Sequence, residues 1–256
     1  MKNNHLILII SFLLILFSVD GFGQRWKLRR YEVGFGVGST HSHVDIGPQN
    51  KEINNFFNGA RPNVSLDVRF KISPSFAVNL DLGYLNMAGK DIDEPTRGRN
   101  YSFVSHNFEH TVRGEYYILG EGRAFGSQAN YNRRGMVNNY NKVYLYVFTG
   151  FGGIMSKGSV KDMDNGDLPP DGNPGYDNNM HYGLVIPVGA GLKYTISAVW
   201  SLNLEAGYRW SSSDYLDSYA SAFSKYNDNY YTTSFKALYK IRNNRKGRPI
   251  FRKYAR

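Results

Sequence analysis

The sequence predicts an all-β protein, an eight-stranded antiparallel transmembrane β-barrel, from its alternating strands, its export signal and the lengths of its loops. Apolar and polar residues alternate along two neighbouring runs, 188–196 and 202–210, which a very short turn joins. One face of this hairpin is apolar, and the other carries Lys193, Glu205 and Arg209. In a water-soluble sheet the apolar face would form the core, whereas in a membrane barrel it faces lipid and the charged face lines the interior.

The N-terminus favours the membrane barrel because it predicts export. Lys2 precedes an apolar run over residues 6–17, and a small-residue site at Gly21 and Gly23 follows it. This order is typical of a secretory signal peptide, here residues 1–23, with cleavage before Gln24. A retained membrane anchor is the weaker alternative because it would need about 20 apolar residues.

The composition favours the same class of protein. The chain has no Cys, which excludes disulfides, thiol catalysis and Cys-bound metals, and it contains 27 Gly, 20 Tyr and 16 Phe. An exported chain rich in glycine and aromatic residues, with a period of two, suggests an outer-membrane barrel, although secreted β-sandwiches share part of this pattern. The mature chain is long enough for one domain of either kind.

The first four strands are predicted in the N-terminal half of the chain. They cover residues 31–38, 64–72, 78–84 and 103–119. The first three alternate cleanly, with glycines, Asp67 and Asp81 opposite aliphatic and aromatic residues. The fourth is less regular but still places Glu109 and Arg113 opposite Phe108. Each run therefore offers one apolar face and one polar face, as a barrel strand must.

The last four strands are predicted at residues 143–154, 188–196, 202–210 and 231–241. The first of these is apolar on both faces, so alternation leaves its register open. The final strand places Lys236 and Lys240 opposite Phe235 and Tyr239. The predicted barrel domain spans residues 24–241, and a basic tail follows at 242–256.

Loop lengths separate the barrel from the sandwich. Long polar connections follow the first, third, fifth and seventh strands, at residues 41–58, 87–100, 157–180 and 211–228, whereas the connections at Ser73 and Ser197 are short. Outer-membrane barrels show this alternation, with short periplasmic turns, and a sandwich has no reason to produce it. The connection 121–142 breaks the rule, because it is long and basic yet falls at the periplasmic end.

The net charge of +10 comes from the two ends of the chain. Four basic residues lie within 25–30 and seven within 242–256. With eight strands both ends emerge on the same side, so we expect one basic rim at the periplasmic end. The candidate partner-binding residues there are Arg25, Trp26, Lys27, Arg29, Arg30, Arg133, Arg134, Arg245, Lys246, Arg248, Phe251 and Tyr254. Solvated tails near anionic lipid headgroups are the alternative, and no recognition motif supports nucleic acid.

Few residues suggest other chemistry. His41, His43 and Asp45 could face one way and bind a metal, but exposed loop histidines are common and we predict no metal site. An aspartate-rich loop at 162–171 lacks the acidic end of a calcium loop. No Ser/His/acid signal is visible, so we predict no catalytic residues, no cofactor and no enzyme activity.

The inward charges have a predicted structural role instead. Glu205 and Arg209 are expected to pair with other inward charges, of which Asp67, Arg69 and Asp81 are candidates. Such pairs would neutralise the interior of a barrel too narrow for a channel.

Three segments carry a resemblance to a known family. They are RWKLRRYE at 25–32 with DIG at 45–47, IPVGAGLKY at 186–194, and EAGYRW at 205–210 followed by DYLD at 214–217. They resemble the small outer-membrane β-barrel proteins of Bacteroidetes, most closely the PorG family, the barrel subunits of the type IX secretion system. The sequence departs from that pattern at residues 40–43 and at Ser218, which leaves a diverged paralogue with another partner as an alternative.

The resemblance implies a barrel that docks on its periplasmic side to the ring proteins of the secretion system. The functional hypothesis is therefore a non-enzymatic outer-membrane barrel, with periplasmic termini, that anchors or orients periplasmic partners among the outer-membrane lipids. The alternatives are a small porin or ligand-binding barrel and, third, a lipid-modifying enzyme.

Overall fold

The computed structural model describes residues 29–44, 46, 59–91, 101–118, 142–163, 176–177, 179–197, 199–219, 227–243 and 249–250, with the backbone of 129–132 and 135–138. Its strands in chain order are β1 (Tyr31–His43), β2 (Arg61–Lys71), β3 (Phe76–Lys90), β4 (Tyr101–Tyr117), β5 (Ala129–Asn132), β6 (Gly135–Asn138), β7 (Val143–Asp162), β8 (His181–Thr195), β9 (Trp200–Ser211) and β10 (Asn229–Ile241). Within the described residues, no helix is long and apolar enough to cross a membrane.

Eight strands form one closed antiparallel barrel. The order around the barrel is β1, β2, β3, β4, β7, β8, β9 and β10, and β10 pairs with β1 from Tyr31–Ile241 to His43–Asn229. The eight predicted strands are all present, so the predicted fold class is confirmed. Strands β5 and β6 form a separate hairpin inside the 121–142 connection, where the sequence analysis expected only a polar loop.

Burial is inverted relative to a soluble protein. On β9, Leu204 is 53% exposed whereas the neighbouring Glu205 is 2% exposed. The same alternation runs along the other barrel strands, with aliphatic side chains outside and charged ones inside. A soluble monomer rarely exposes a contiguous apolar surface of this extent. This outer surface therefore suits lipid, as the alternation predicted.

Two aromatic rows bound the apolar outer surface. The lower row, at the end of the barrel where β1 begins and β10 ends, contains Tyr31, Phe70, Phe76, Tyr116, Tyr194, Trp200 and Tyr239; the upper row contains Tyr84, Phe108, Tyr182, Tyr208, Trp210 and Tyr231. On β9 the rows are separated by the ten residues from Trp200 to Trp210. That separation corresponds to about 25 Å along the barrel axis, the height of the apolar band in membrane barrels.

The lower end is closed by two tight turns of the same design. Between β2 and β3, Ser73 Oγ accepts a hydrogen bond from Phe76 N at 2.9 Å, and Ile72 N donates to Phe76 O at 2.9 Å. Between β8 and β9, Ser197 Oγ accepts from Trp200 N at 3.1 Å. These are the two short connections that the sequence predicted. The serine of each turn holds an aromatic residue of the lower row in position, Phe76 in the first and Trp200 in the second.

Candidate functional site: a sealed lumen between two mouths

Arg113 lies at the centre of the lumen and joins three carboxylates. Its Nη1 donates to Glu205 at 3.0 Å, and its Nη2 lies 3.0 Å from Asp67 and 2.8 Å from Asp81. The guanidinium also stacks over the Phe148 ring, at 4.7 Å from its centroid. These residues come from five different strands, so one side chain ties most of the barrel together.

A second cation binds the same carboxylates from another side. Lys236 Nζ on β10 lies 3.0 Å from each of Asp67, Asp81 and Glu205. Two cations thus face three carboxylates, and every one of these side chains is buried. A buried charge is tolerated only when paired and hydrogen-bonded, and shared partners meet that condition here.

Arg69 extends the network toward the lower mouth. It forms ion pairs with Glu115 at 2.7 Å and Glu32 at 3.3 Å. Glu32 also accepts hydrogen bonds from Lys193 Nζ at 2.8 Å and pairs with Lys71 at 2.6 Å. The lower mouth is therefore lined by three cations around one carboxylate.

Arg209 departs from its predicted pairing. The sequence analysis grouped it with Asp67, Arg69 and Asp81, but its Nε donates to Glu109 on β4, at 3.0 Å. Arg209 sits four residues above Glu205 on β9, beside Thr232, to which it also donates. Tyr230 OH completes the group by donating to Glu109 at 2.8 Å. Glu205 does meet its predicted partner Arg69, at 3.5 Å, and it is linked to Asp67 and Asp81 through the shared cations Arg113 and Lys236.

We call this set of buried charges the ionic layer. It comprises Glu32, Asp67, Arg69, Lys71, Asp81, Glu109, Arg113, Glu115, Lys193, Glu205, Arg209, Lys236 and Lys240. Six carboxylates face seven cations, so the interior is close to neutral. The alternation of the sequence predicted that these side chains face inward, but it did not predict which of them form ion pairs with each other.

The inward residues of β7 explain why the sequence pattern left the register of this strand open. Its inward residues are aromatic, and Tyr144, Tyr146 and Phe148 are all buried in the lumen. Tyr146 OH donates to Glu205 at 2.6 Å, which makes this apolar-looking strand a partner of the ionic layer. Both faces of β7 are thus apolar in sequence because its inward aromatic rings pack against arginines, with Arg69 over Tyr146 and Arg113 over Phe148.

Little space is left between these side chains. A cavity of ≈ 10 Å³ lies between the central carboxylates and Arg209, about the space of a single water. Arg69, Arg113 and Lys193 each have no exposed surface, whereas the walls of a water-filled pore would be wet. The described part of the lumen is therefore packed rather than open.

The upper lumen is filled by a different set of side chains, which we call the apolar cap. It comprises Ile46, Leu85, Met87, Phe103, Ile154, Val160, Val185, Leu216 and Tyr230. Most come from the strands, but Ile46 and Leu216 come from the connections after β1 and β9. Two connections thus fold back into the barrel mouth and close it from above.

Buried polar contacts hold the cap in place. Asp217 Oδ2 accepts from Ile46 N at 3.1 Å, and Asp228 Oδ2 accepts from Leu216 N at 2.8 Å. Ser156 on β7 donates to the Leu216 carbonyl at 3.3 Å. Ser218 follows with a φ of 63°, a left-handed conformation that turns the chain back toward the rim. The sequence analysis quoted this segment but gave it no structural role.

The predicted partner-binding residues are mostly not described by the structure. Arg25, Trp26, Lys27, Arg133, Arg134, Arg245, Lys246, Arg248, Phe251 and Tyr254 lie outside the described residues, as do the predicted signal peptide and the aspartates at 164, 167 and 171. Arg29 and Arg30 are described at the lower mouth, where Arg30 lies 6.0 Å from the Phe70 ring centroid. The tail turns back at once, because Asn243 pairs with Pro249 and Ile250 N donates to Arg242 O at 2.8 Å.

The histidines of β1 do not converge on one site. His41 is buried with its Nε2 at 3.3 Å from Ser39 Oγ, while His43 is exposed at the rim; Asp45 lies outside the described residues. Among the residues that the structure describes, no group of three potential ligands could hold a metal ion.

Among known proteins, only solved structures are similar to this chain. No protein-family model matches the chain, and no curated protein matches it. Among solved structures, the chain is similar to the attachment invasion locus protein Ail of Yersinia pestis, with 13% identity, 83% of this chain and 99% of that chain covered, and a TM-score of 0.42. It is also similar to Neisserial surface protein A, with 11% identity, 82% of this chain and 97% of that chain covered, and a TM-score of 0.41. A third similar structure is OprG of Pseudomonas aeruginosa, with 11% identity, 84% of this chain and 97% of that chain covered, and a TM-score of 0.38.

Those similarities are distant, and the chain's own strand pairing establishes its fold. The order and register of the eight strands, the inverted burial and the two aromatic rows together make this chain an eight-stranded antiparallel transmembrane β-barrel.

Proposed function

We propose that this protein is a non-enzymatic outer-membrane barrel that anchors or orients periplasmic partners. The observation that carries the proposal is the packed lumen. Because the ionic layer and the apolar cap fill the described interior from end to end, the barrel offers no conduit for solutes. The remaining roles are those of the surface, namely its lipid-facing belt and its two ends.

Placement in the outer membrane is supported by the shape of the outer surface. Exposed aliphatic side chains between two aromatic rows match the band that a bilayer requires, and a closed barrel leaves no strand edge in lipid. The start of β1, the end of β10 and the short turns share the lower end, which suits a periplasmic side because outer-membrane barrels keep their short turns there.

The lower mouth is the surface that we assign to partners. Lys71, Lys193 and Lys240 lie buried just inside it, while Arg30 and the exposed Arg242 stand where the chain enters and leaves the barrel. Exposed cations mainly give attraction and orientation to an acidic partner, while aromatic residues give contact area. By resemblance in sequence, we propose ring proteins of the type IX secretion system as those partners, or the equivalents for a paralogue.

The porin and enzyme alternatives lack a supporting observation. A porin needs a wet lumen, and the buried ionic layer fills the space that water would occupy. A lipid-modifying enzyme would need a nucleophile, a base and an acid grouped at the upper rim. At the described rim, His181 forms a base–acid pair with Asp177 at 3.5 Å and stacks on Tyr215 at 4.4 Å between centroids, but no described serine hydroxyl hydrogen-bonds to its ring.

The membrane placement is tested by one outward leucine. Leu204→Arg, midway between the aromatic rows, should cost about 2–4 kcal/mol of folding free energy, because the charge would sit near the bilayer midplane. Unfolding in lipid vesicles and recovery in outer-membrane fractions measure this loss. The matched control is Ile196→Arg at the lower turn, which should cost about 0–1 kcal/mol. Equal effects at the two sites, or recovery of the wild type as a soluble protein, would reject the placement.

The partner role is tested by removing the tail. Deleting residues 244–256 leaves β10 complete, since this strand ends at Ile241, so the barrel should still insert and shift on gels unless boiled. Crosslinks from intact outer membranes to periplasmic partners should disappear. Reversing charge at Arg245, Lys246 and Arg248 should weaken the same crosslinks in a salt-dependent way, while reversing Lys161, an exposed lysine at the upper end of β7, should not. A tail-deleted protein that keeps every crosslink would leave lipid-headgroup contact as the account of this tail.

A further inference from the structure

Three strands of the barrel continue well past the upper aromatic row. Beyond Tyr84, Phe108 and Met155, which are neighbours across β3, β4 and β7, these strands run on for six or seven residues. We call residues 86–90, 101–106 and 157–162 the tall wall. At ~3.3 Å per residue and a typical tilt it rises about 15 Å above the row. On the other side of the barrel, β9 ends one residue past Trp210.

The outward face of the tall wall is basic. Its outward residues stand in three rows across the strands: Asn86, His106 and Lys157; Ala88, Val104 and Ser159; and Lys90, Ser102 and Lys161. The three lysines and His106 are exposed. None of these nine described residues is acidic, so the face carries the three positive charges of its lysines with no carboxylate among them.

Among the described residues, the carboxylates nearest to this face are Asp91 and Asp162, at the tip of the wall and on the opposite parity. Asp91 is held by the backbone of Tyr101, with its Oδ2 accepting from Tyr101 N at 3.2 Å and its own N donating to Tyr101 O at 2.9 Å. Asp162 is the backbone partner of Tyr101 on the other side. Both acids are thus placed where the strands end, away from Lys157 and His106.

The other face of the wall already has a structural task. Met87, Phe103 and Val160 point inward and are buried in the apolar cap. The wall is therefore fixed from inside by packing, and its outward lysines are not needed to hold it. A rigid support lowers the entropic cost of binding a ligand on the outer face.

His106 marks the boundary between the apolar belt and the basic face. Its Nδ1 lies 2.9 Å from Tyr84 OH, in the upper aromatic row, and 2.8 Å from Asn86 Oδ1. Lys157 is its neighbour on β7. The row formed by Asn86, His106 and Lys157 therefore stands at the level where the hydrocarbon of the bilayer gives way to the lipid headgroups.

We propose that the outer face of the tall wall binds the phosphate groups of a phosphorylated glycolipid in the outer leaflet. Lys157 and His106 meet the phosphates nearest the acyl chains, and Lys90 and Lys161 meet phosphorylated sugars above them. The lysines are spread over about 10–13 Å, by strand spacing and rise, which suits several linked phosphates better than one free ion. The inference rests on the outer-membrane placement proposed above.

Titration with a defined lipid tests this site. Bisphosphorylated lipid A, and the same lipid with both phosphates removed, are titrated into the full-length protein in detergent, and bound lipid is counted by native mass spectrometry. The wild type should prefer the phosphorylated form. The combined Lys90→Gln, Lys157→Gln and Lys161→Gln variant should bind it about 100-fold more weakly, since each lysine near an anionic surface is worth about fivefold. Lys142→Gln, an exposed lysine at the other end of β7, is the matched control and should bind as the wild type does.

Each outcome decides the inference. Equal binding by the triple variant and the wild type, or indifference of the wild type to the phosphates, would overturn it. Competition by inorganic phosphate at equal concentration would also overturn it in favour of a free-ion site. The triple variant must still shift on unboiled gels, which shows that its barrel is folded. Its outer-membrane recovery and periplasmic crosslinks should be unchanged, so loss of the lipid site and failure of the partner role are read separately.

Discussion

The ionic layer and the apolar cap fill the same barrel with opposite chemistry. The layer is built from strand residues, and its central charges are shared, as when Arg113 and Lys236 face the same three carboxylates. The cap is apolar and depends on Ile46 and Leu216, which enter from the connections. The lower lumen is thus fixed by strand register, whereas the upper lumen is fixed by how loops fold back.

The charged layer also solves a problem that an apolar layer would leave open. A slip of one residue moves every side chain of a strand to the other face of the sheet. In a barrel that is apolar outside, an apolar interior would make such a slip cheap. With Arg69 and Arg113 inside, the slipped strand would place a charge in lipid, at several kcal/mol. The layer therefore specifies register as well as filling space.

The largest effect should come from breaking the ionic layer. Arg113→Ala would leave Asp67, Asp81 and Glu205 with one shared cation, Lys236, instead of two. Removing one partner of a buried ion pair typically costs about 3–5 kcal/mol. Denaturant unfolding in detergent or vesicles should show this loss. Arg113→Lys keeps the charge but not the fork of donors, so it should fall between. An Arg113→Ala protein as stable as the wild type would show that the layer does not hold the barrel.

A smaller and more local effect should come from breaking the cap. Leu216→Ala removes a fully buried side chain and should cost about 2–4 kcal/mol of local stability. Because the ionic layer below is untouched, the barrel should keep its unboiled gel shift, while limited proteolysis of the upper connections becomes faster. The matched control is Leu204→Ala on the outer belt, where lipid or detergent fills the space. Equal proteolysis of the two variants would contradict the cap.

The difference between the two regions also explains what could be predicted from the sequence. Alternation placed Asp67, Glu205 and Lys236 on inward faces correctly, because strand geometry alone decides that. It grouped Arg209 with Asp81, although its partner is Glu109, since the pairing depends on the stagger of strands around the barrel. The two short turns at Ser73 and Ser197 were predicted from equally local information, because the alternating runs on either side leave only a few residues between them.

The cap could not be predicted in the same way. Leu216 stands in a polar connection, and its burial depends on Asp217 and Asp228 satisfying backbone amides of Ile46 and of Leu216 itself. Those contacts join residues 171 and 12 positions apart. No periodicity encodes them. The upper ends of β3 and β7 in the tall wall were not predicted for a related reason. Above the upper aromatic row the outward residues are mostly polar or basic, so the alternation of apolar and polar residues ends although the strands continue.

The smallest expected effect is an unchanged conductance when the apolar cap is removed. Measuring it tests which of the two regions seals the barrel. Wild-type protein in planar bilayers should conduct poorly, since the ionic layer leaves no exposed surface on Arg69, Arg113 or Lys193. If the layer is the seal, replacing 213–217 with a Gly/Ser linker to remove the cap should leave conductance at the same low level. If the cap is the seal, this variant should open stable channels. A large, steady conductance from the wild type would reject both, and would return the porin alternative.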